Sequence, residues 1–120
     1  MKKMFNDPNL PDWLDAEADY DRLSFGVVKM DYNGIVTEYN SAQFDLTGIA
    51  AENAIGKNFF TQVAPCTNNF MVAERYRQSI LDESLPYIFT YITKPTKVEL
   101  RLIKGQKGNQ YLLAQAPQND

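Results

Sequence analysis

The chain has 120 residues, 44% apolar and 22% charged, with a net charge of −3. That composition fits one soluble globular domain with its own core. It argues against a disordered chain, a membrane span of ~20 apolar residues, and a nucleic acid or anionic membrane as main partner. There is no histidine and a single cysteine, Cys66. Ser-His-Asp and Cys-His nucleophilic mechanisms, imidazole zinc sites and an internal disulfide are therefore excluded within this chain. No phosphate-binding glycine motif occurs, so the chain reads as a non-enzyme. The N-terminus lacks the apolar core of a secretory signal, and a reducing cytoplasm is the expected compartment.

Residues 1–10 read as an exposed tail. Pro11, Trp13, Leu14, Ala16, Ala18, Tyr20 and Leu23 then suggest one or two short helices, with Asp12 and Asp15 as candidate caps. Their irregular spacing makes residues 1–23 a cap lying on the domain, anchored by Phe5 and Trp13. Residues 24–31 read as a buried strand and 35–39 as its return, with Tyr32, Asn33 and Gly34 as the turn. Asn40 or Ser41 caps a short helix over 42–47 that Gly48 ends. A second covers 51–54, closed by Gly56, and 57–63 is ambiguous, with a helical turn as one reading. Pro65 makes the approach to Cys66 irregular, and 66–69 reads as loop.

Residues 71–82 carry the longest helical pattern, with Val72, Tyr76, Ser79 and Ile80 on one face and Glu74, Arg75 and Arg77 on the wet one. Residues 85–93 read as a strand. Residues 97–104 alternate cleanly, Val98, Leu100 and Leu102 opposing Lys97, Glu99, Arg101 and Ile103. Residues 109–116 form the last strand. This order predicts an α+β fold: a five-stranded antiparallel sheet with short helices on one face and an N-terminal helical cap. The expected divisions are a cap over 1–23, a domain over 24–116 and a tail over 117–120.

Taken alone, Cys66 reads as a small buried hydrophobe. Its company changes that reading: the run IGKNFFTQVAPCT at 55–67, Tyr39-Asn40, Leu46-Thr47-Gly48, Tyr91, and Pro95 to Val98. With the element order, these resemble a PAS domain and, more narrowly, the photoactive yellow protein family. The resemblance covers residues 23–111, and the 56–67 block is its most specific part.

The resemblance implies a blue-light photoreceptor. Its p-coumaric (4-hydroxycinnamic) acid would be joined as a thioester to Cys66, with the phenol end buried as a phenolate. Tyr39 aligns with the family's phenol donor and Thr47 with the hydroxyl that orients it. The backbone N–H of Cys66 is the implied partner of the thioester carbonyl. Phe25, Val28, Val63, Ala64, Phe89 and Tyr91 are expected to wall the pocket, with Thr67 beside the cysteine. Isomerisation, phenolate protonation and release of the N-terminal cap would be followed by thermal recovery.

Three positions depart from the family. Gln43 stands where a protonated Glu is usual; it can donate an N–H but cannot give up a proton. Ile49 replaces a gating arginine, and Thr93 a loop methionine, so slower recovery is expected. No output domain occurs in the sequence, so a signalling protein acting in trans and a monomeric state are expected. Two competing readings remain: a chromophore-free PAS ligand-binding or interaction module, and an enzyme with Cys66 as nucleophile, which lacks a histidine base.

Overall fold

The computed structural model describes residues 4–16, 19–90, 92 and 94–117. The expectations for Ala18, Tyr91, Thr93 and residues 118–120 lie outside the described residues. Helix α1 spans Leu10–Ala16, strand β1 Gly26–Met30, β2 Val36–Tyr39, helix α2 Ser41–Thr47, β3 Asp82–Phe89, β4 Thr96–Lys104 and β5 Gln110–Gln115. Single-turn helical pieces at Tyr20–Arg22, Ala51–Asn53, Phe59–Val63, Pro65–Thr67 and Ala73–Arg77 fill the connections.

The strands form one sheet in the order β2-β1-β5-β4-β3, and every neighbouring pair is antiparallel. The chain is α+β, as its alternation predicts. Successive side chains of a strand face opposite ways, and both faces here are covered. Val28, Met30, Leu100, Leu102, Leu112 and Ala114 point into one cluster with Phe59, Phe60, Val63, Val72 and Tyr76. Val27, Ile103, Tyr111 and Leu113 point into the other, with Phe5, Leu10, Leu14 and Tyr20.

The second cluster corrects two expectations. Residues 4–10 are not an exposed tail: Phe5 and Leu10 are buried, and Phe5 meets Phe25 edge-on with ring centroids 5.5 Å apart. Asp15 is not a helix cap. Its carboxylate accepts from the Tyr111 hydroxyl at 2.6 Å and from the Gln106 N–H at 2.8 Å, tying α1 to the β4–β5 turn.

The helix expected over 71–82 is absent. Only Ala73–Arg77 forms a 3₁₀ segment, and Gln78 is already extended. Val72 and Tyr76 are buried, but Ile80 is 87% exposed. Asp82 pairs with Ile103, and the Lys104 N–H donates to the Leu81 carbonyl. The chain must therefore open out before residue 81 to join the sheet. Two inward anchors do not offset the cost of nucleating a helix there. Among the described residues, no helix is long and apolar enough to cross a membrane.

Candidate functional site

Asn40 resolves the choice of cap for α2 and does more than cap it. Its Oδ1 accepts from the Gln43 N–H at 3.1 Å and the Val27 N–H at 2.8 Å, while its Nδ2 donates to the carbonyls of Tyr20 and Phe25. One buried amide thus joins the end of β2, the start of α2, β1 and the N-terminal segment. Gly48, in the left-handed conformation at φ 76°, ends the helix.

Residues four apart share a helix face, so Gln43 and Thr47 both look inward from α2. Tyr39, at the end of β2, pairs with Val28. Its hydroxyl lies 2.8 Å from Thr47 Oγ1. Thr47 Oγ1 also donates to the Gln43 carbonyl at 3.0 Å and accepts from the Ile49 N–H at 3.2 Å. Thr47 has one hydroxyl proton. Given to the Gln43 carbonyl, it leaves Tyr39 to donate to Thr47. Turned to the Tyr39 oxygen, it frees the phenol O–H for another acceptor. Burial raises the Tyr39 pKa, partly offset by the Thr47 hydrogen bond, so Tyr39 is a neutral donor at ordinary pH.

The side chain of Gln43 is fully buried, yet neither Nε2 nor Oε1 has a hydrogen-bond partner among the described residues. An orphaned buried amide costs about 1–3 kcal/mol. Such a cost commonly marks a place where another group belongs.

The cysteine loop is built separately. Asn58 Oδ1 accepts from the N–H groups of Phe60 and Thr61, starting the wide turn Phe59–Val63, which buries Phe59, Phe60 and Val63. Ala64 then leaves the helical region, and Pro65–Thr67 makes one tight turn in place of the expected loop. Thr67 is buried, with Oγ1 donating to the Ala64 carbonyl at 2.7 Å. Cys66 is a free, half-buried thiol packed against the larger cluster.

Val28, Tyr39, Val63, Ala64 and Phe89 all belong to that cluster, and Ile49 is half-buried, with its N–H on Thr47 Oγ1. Phe25 is a correction. It sits on the opposite face of the sheet, among Phe5, Leu14 and Tyr20, in the bend that leads into β1 and on the side taken by Val27. It does not wall a pocket on the Cys66 face. Sequence reasoning missed Gly26, Asn69 and Tyr87. Tyr87 donates from its hydroxyl to the Cys66 carbonyl, and Asn69 Nδ2 donates to that carbonyl at 3.1 Å and to the Tyr87 hydroxyl at 2.8 Å. The Tyr-x-Phe alternation of Tyr87 and Phe89 was the one available signal.

The family model for the PAS fold matches residues 17–109. The photoactive yellow protein of Rhodothalassium salexigens is 35% identical over 100 residues, 80% of each chain. The chain belongs to the photoactive yellow protein family. The photoactive yellow protein of Halochromatium salexigens is likewise 35% identical over 80% of each chain. Among solved structures, the photoactive yellow protein domain of the sensor histidine kinase Ppr from Rhodospirillum centenum superposes with a TM-score of 0.80 at 27% identity, covering 88% of this chain and 98% of that one. The chain is a photoreceptor-like PAS protein.

Proposed function

We propose that the chain is a blue-light photoreceptor that holds a p-coumaroyl group as a thioester on Cys66. The observation that carries this reading is the buried Gln43 amide with neither polar atom partnered, one helical turn from the hydroxyl that contacts Tyr39. A buried phenolate needs donors aimed at its oxygen, and charge-assisted hydrogen bonds are the strong kind. Two neutral donors, the Gln43 Nε2–H and the Tyr39 O–H, fit that need. Once bound, the group supplies absorption of visible light and a trans–cis isomerisation.

Each residue then has a definable task. Cys66 Sγ, as thiolate, displaces the leaving group of an activated coumaroyl ester; the S–C bond forms as the ester bond breaks, and the thiol proton goes to solvent. Thr47 turns its proton to Tyr39 and so frees the Tyr39 O–H to donate. Gln43 donates through Nε2. Because it carries no transferable proton, protonation of the phenol oxygen draws on solvent or another group. Val28, Val63, Ala64 and Phe89, which share one buried cluster, would exclude water from the group. The Cys66 N–H would be the donor available to the acyl carbonyl.

Loss of a buried charge would weaken the packing on that face. The N-terminal segment, docked on the other, is the element we assign to release, signalling to a cytoplasmic partner in trans. Reaction with an activated p-coumaric ester, followed by mass spectrometry, tests the attachment. The parent gains one coumaroyl group that hydroxylamine removes, and Cys66→Ala gains none. An unmodified parent would sink the reading.

A further inference from the structure

Cys66 stands in a single tight turn with no regular ladder to hold it, yet its backbone carbonyl is held twice. The Tyr87 hydroxyl donates to it from β3, and Asn69 Nδ2 donates to it at 3.1 Å. The second proton of that amide goes to the Tyr87 oxygen at 2.8 Å, so three groups close a ring in which every proton has an acceptor. The orientation of the Asn69 amide is fixed from its other end, because Oδ1 accepts from the N–H groups of Met71 and Val72, each at 3.0 Å. The Asn69 backbone is committed as well: its N–H donates to the Thr67 carbonyl and its own carbonyl accepts from the Glu74 N–H, both at 3.0 Å. Tyr87 in turn packs against the larger cluster and meets Phe89 edge-on, with ring centroids 6.4 Å apart.

We propose that Tyr87 and Asn69 are positioning residues for Cys66, a clamp on its carbonyl that sets the peptide plane and with it the placement of the Cα–Cβ bond that carries Sγ. The role rests on the reading of Cys66 as the acylated residue; the clamp itself does not. A carbonyl fixed by two donors cannot rotate about the Cys66 Cα–C bond without breaking both. The flanking bonds, from the Thr67 N–H to the Ala64 carbonyl and from the Asn68 N–H to the Pro65 carbonyl, hold the turn but do not reach the Cys66 carbonyl. The clamp also joins the cysteine to β3, whose far end at Asp82 holds the Arg101 guanidinium. That guanidinium donates to the carbonyls of Phe5 and Asp7, so one strand touches both the cysteine loop and the N-terminal segment.

The single cysteine makes the clamp directly readable. Labelling with 1-¹³C-cysteine gives one isotope-shifted amide I band, that of the Cys66 carbonyl. In the unreacted full chain, Tyr87→Phe keeps the ring and removes the donor. The band should move to higher wavenumber, and alkylation of Cys66 by iodoacetamide should accelerate roughly tenfold, the factor expected for losing one typical hydrogen bond. Tyr76→Phe is the control: it removes a comparable buried bond, from Tyr76 to the Tyr111 carbonyl at 2.7 Å, and should lower stability without moving the Cys66 band. With activated p-coumaric ester, the Tyr87→Phe product should also recover from blue light at a rate different from the parent's. A band and alkylation rate unchanged by Tyr87→Phe would overturn the clamp, whatever the loaded protein does. A shifted band with a recovery rate equal to the parent's would overturn the positioning role. A parent that takes up no coumaroyl group would remove that role through failure of the attachment reading, leaving the unreacted-protein measurements as they stand.

Discussion

Helix α2 rests on strand β1 where Gln43 crosses Gly26: a Cβ at position 26 would overlap Gln43 Oε1 and stand 3.1 Å from Gln43 Cα. The absence of a side chain at Gly26 is what lets the helix bring its buried amide down onto the sheet. Gly26→Ala should therefore cost about 1–3 kcal/mol in a denaturant melt, the usual range for overpacking. In a Gln43→Ala background the cost should shrink, because the atom that is struck has gone. Equal costs in both backgrounds would place the helix elsewhere.

The same amide makes a prediction in the protein before any group is attached. Gln43 buries two polar atoms without partners, and Met matches its length with no polar group to desolvate. Gln43→Met should stabilise the unreacted chain by about 1–3 kcal/mol, read as a higher denaturant midpoint at unchanged slope. A lower midpoint would mean that the amide is satisfied in solution.

On the proposed reading, Gln43 in the coumaroylated protein would be a neutral donor to a charged oxygen. A weaker donor than the family's usual protonated Glu leaves more charge to spread along the conjugated chain. Absorption should lie to the red of the Glu-bearing state, so Gln43→Glu should shift the visible maximum to the blue. An unmoved maximum would remove Gln43 from contact with the phenolate.

How far the sequence carried these conclusions differs by segment. Gly48 and the alternation of residues 97–104 are local signals, and the helix end and strand β4 followed from them; the cap was narrowed to Asn40 or Ser41, and the structure chooses Asn40. The 56–67 block led to the family through its pattern as a whole. What stayed hidden depends on contacts between distant segments. Arg101 alternates like a surface residue yet is only 5% exposed, because the N-terminal segment folds over it and supplies the Phe5 and Asp7 carbonyls. Phe25, in the bend before β1, packs with Phe5, Leu14 and Tyr20 on the face away from Val28, a side that a list of apolar residues does not contain. The pattern at 71–82 is periodic enough for a helix, but β3 needs its last residues. Tyr87 and Asn69 come together only when the cysteine loop lies against β3.

Three phenols give the fold a pH limit on the alkaline side. Burial raises the pKa of Tyr39, with the Thr47 bond opposing it, and raises that of Tyr76 well above the ordinary value. Tyr111 is pushed up by burial first and then by its hydrogen bond to Asp15. Below about pH 9 all three are protonated in both folded and unfolded chains and contribute no pH dependence. Above about pH 10 the unfolded chain releases these protons while the folded chain keeps them, so stability falls as pH rises, by up to about 1.4 kcal/mol per pH unit for each tyrosine. Denaturant melts between pH 8 and 12 should show that slope, shallower in Tyr76→Phe. A stability that held level across that range would contradict it.

The visible spectrum of the protein after reaction with an activated p-coumaric ester, before and after blue light, bears most directly on the central claim. Cys66→Ala is treated in parallel. The account predicts a visible band in the parent that bleaches under blue light and returns in the dark, and no band in the variant. A parent that stays colourless, or a Cys66→Ala protein that colours and bleaches like it, would contradict the account.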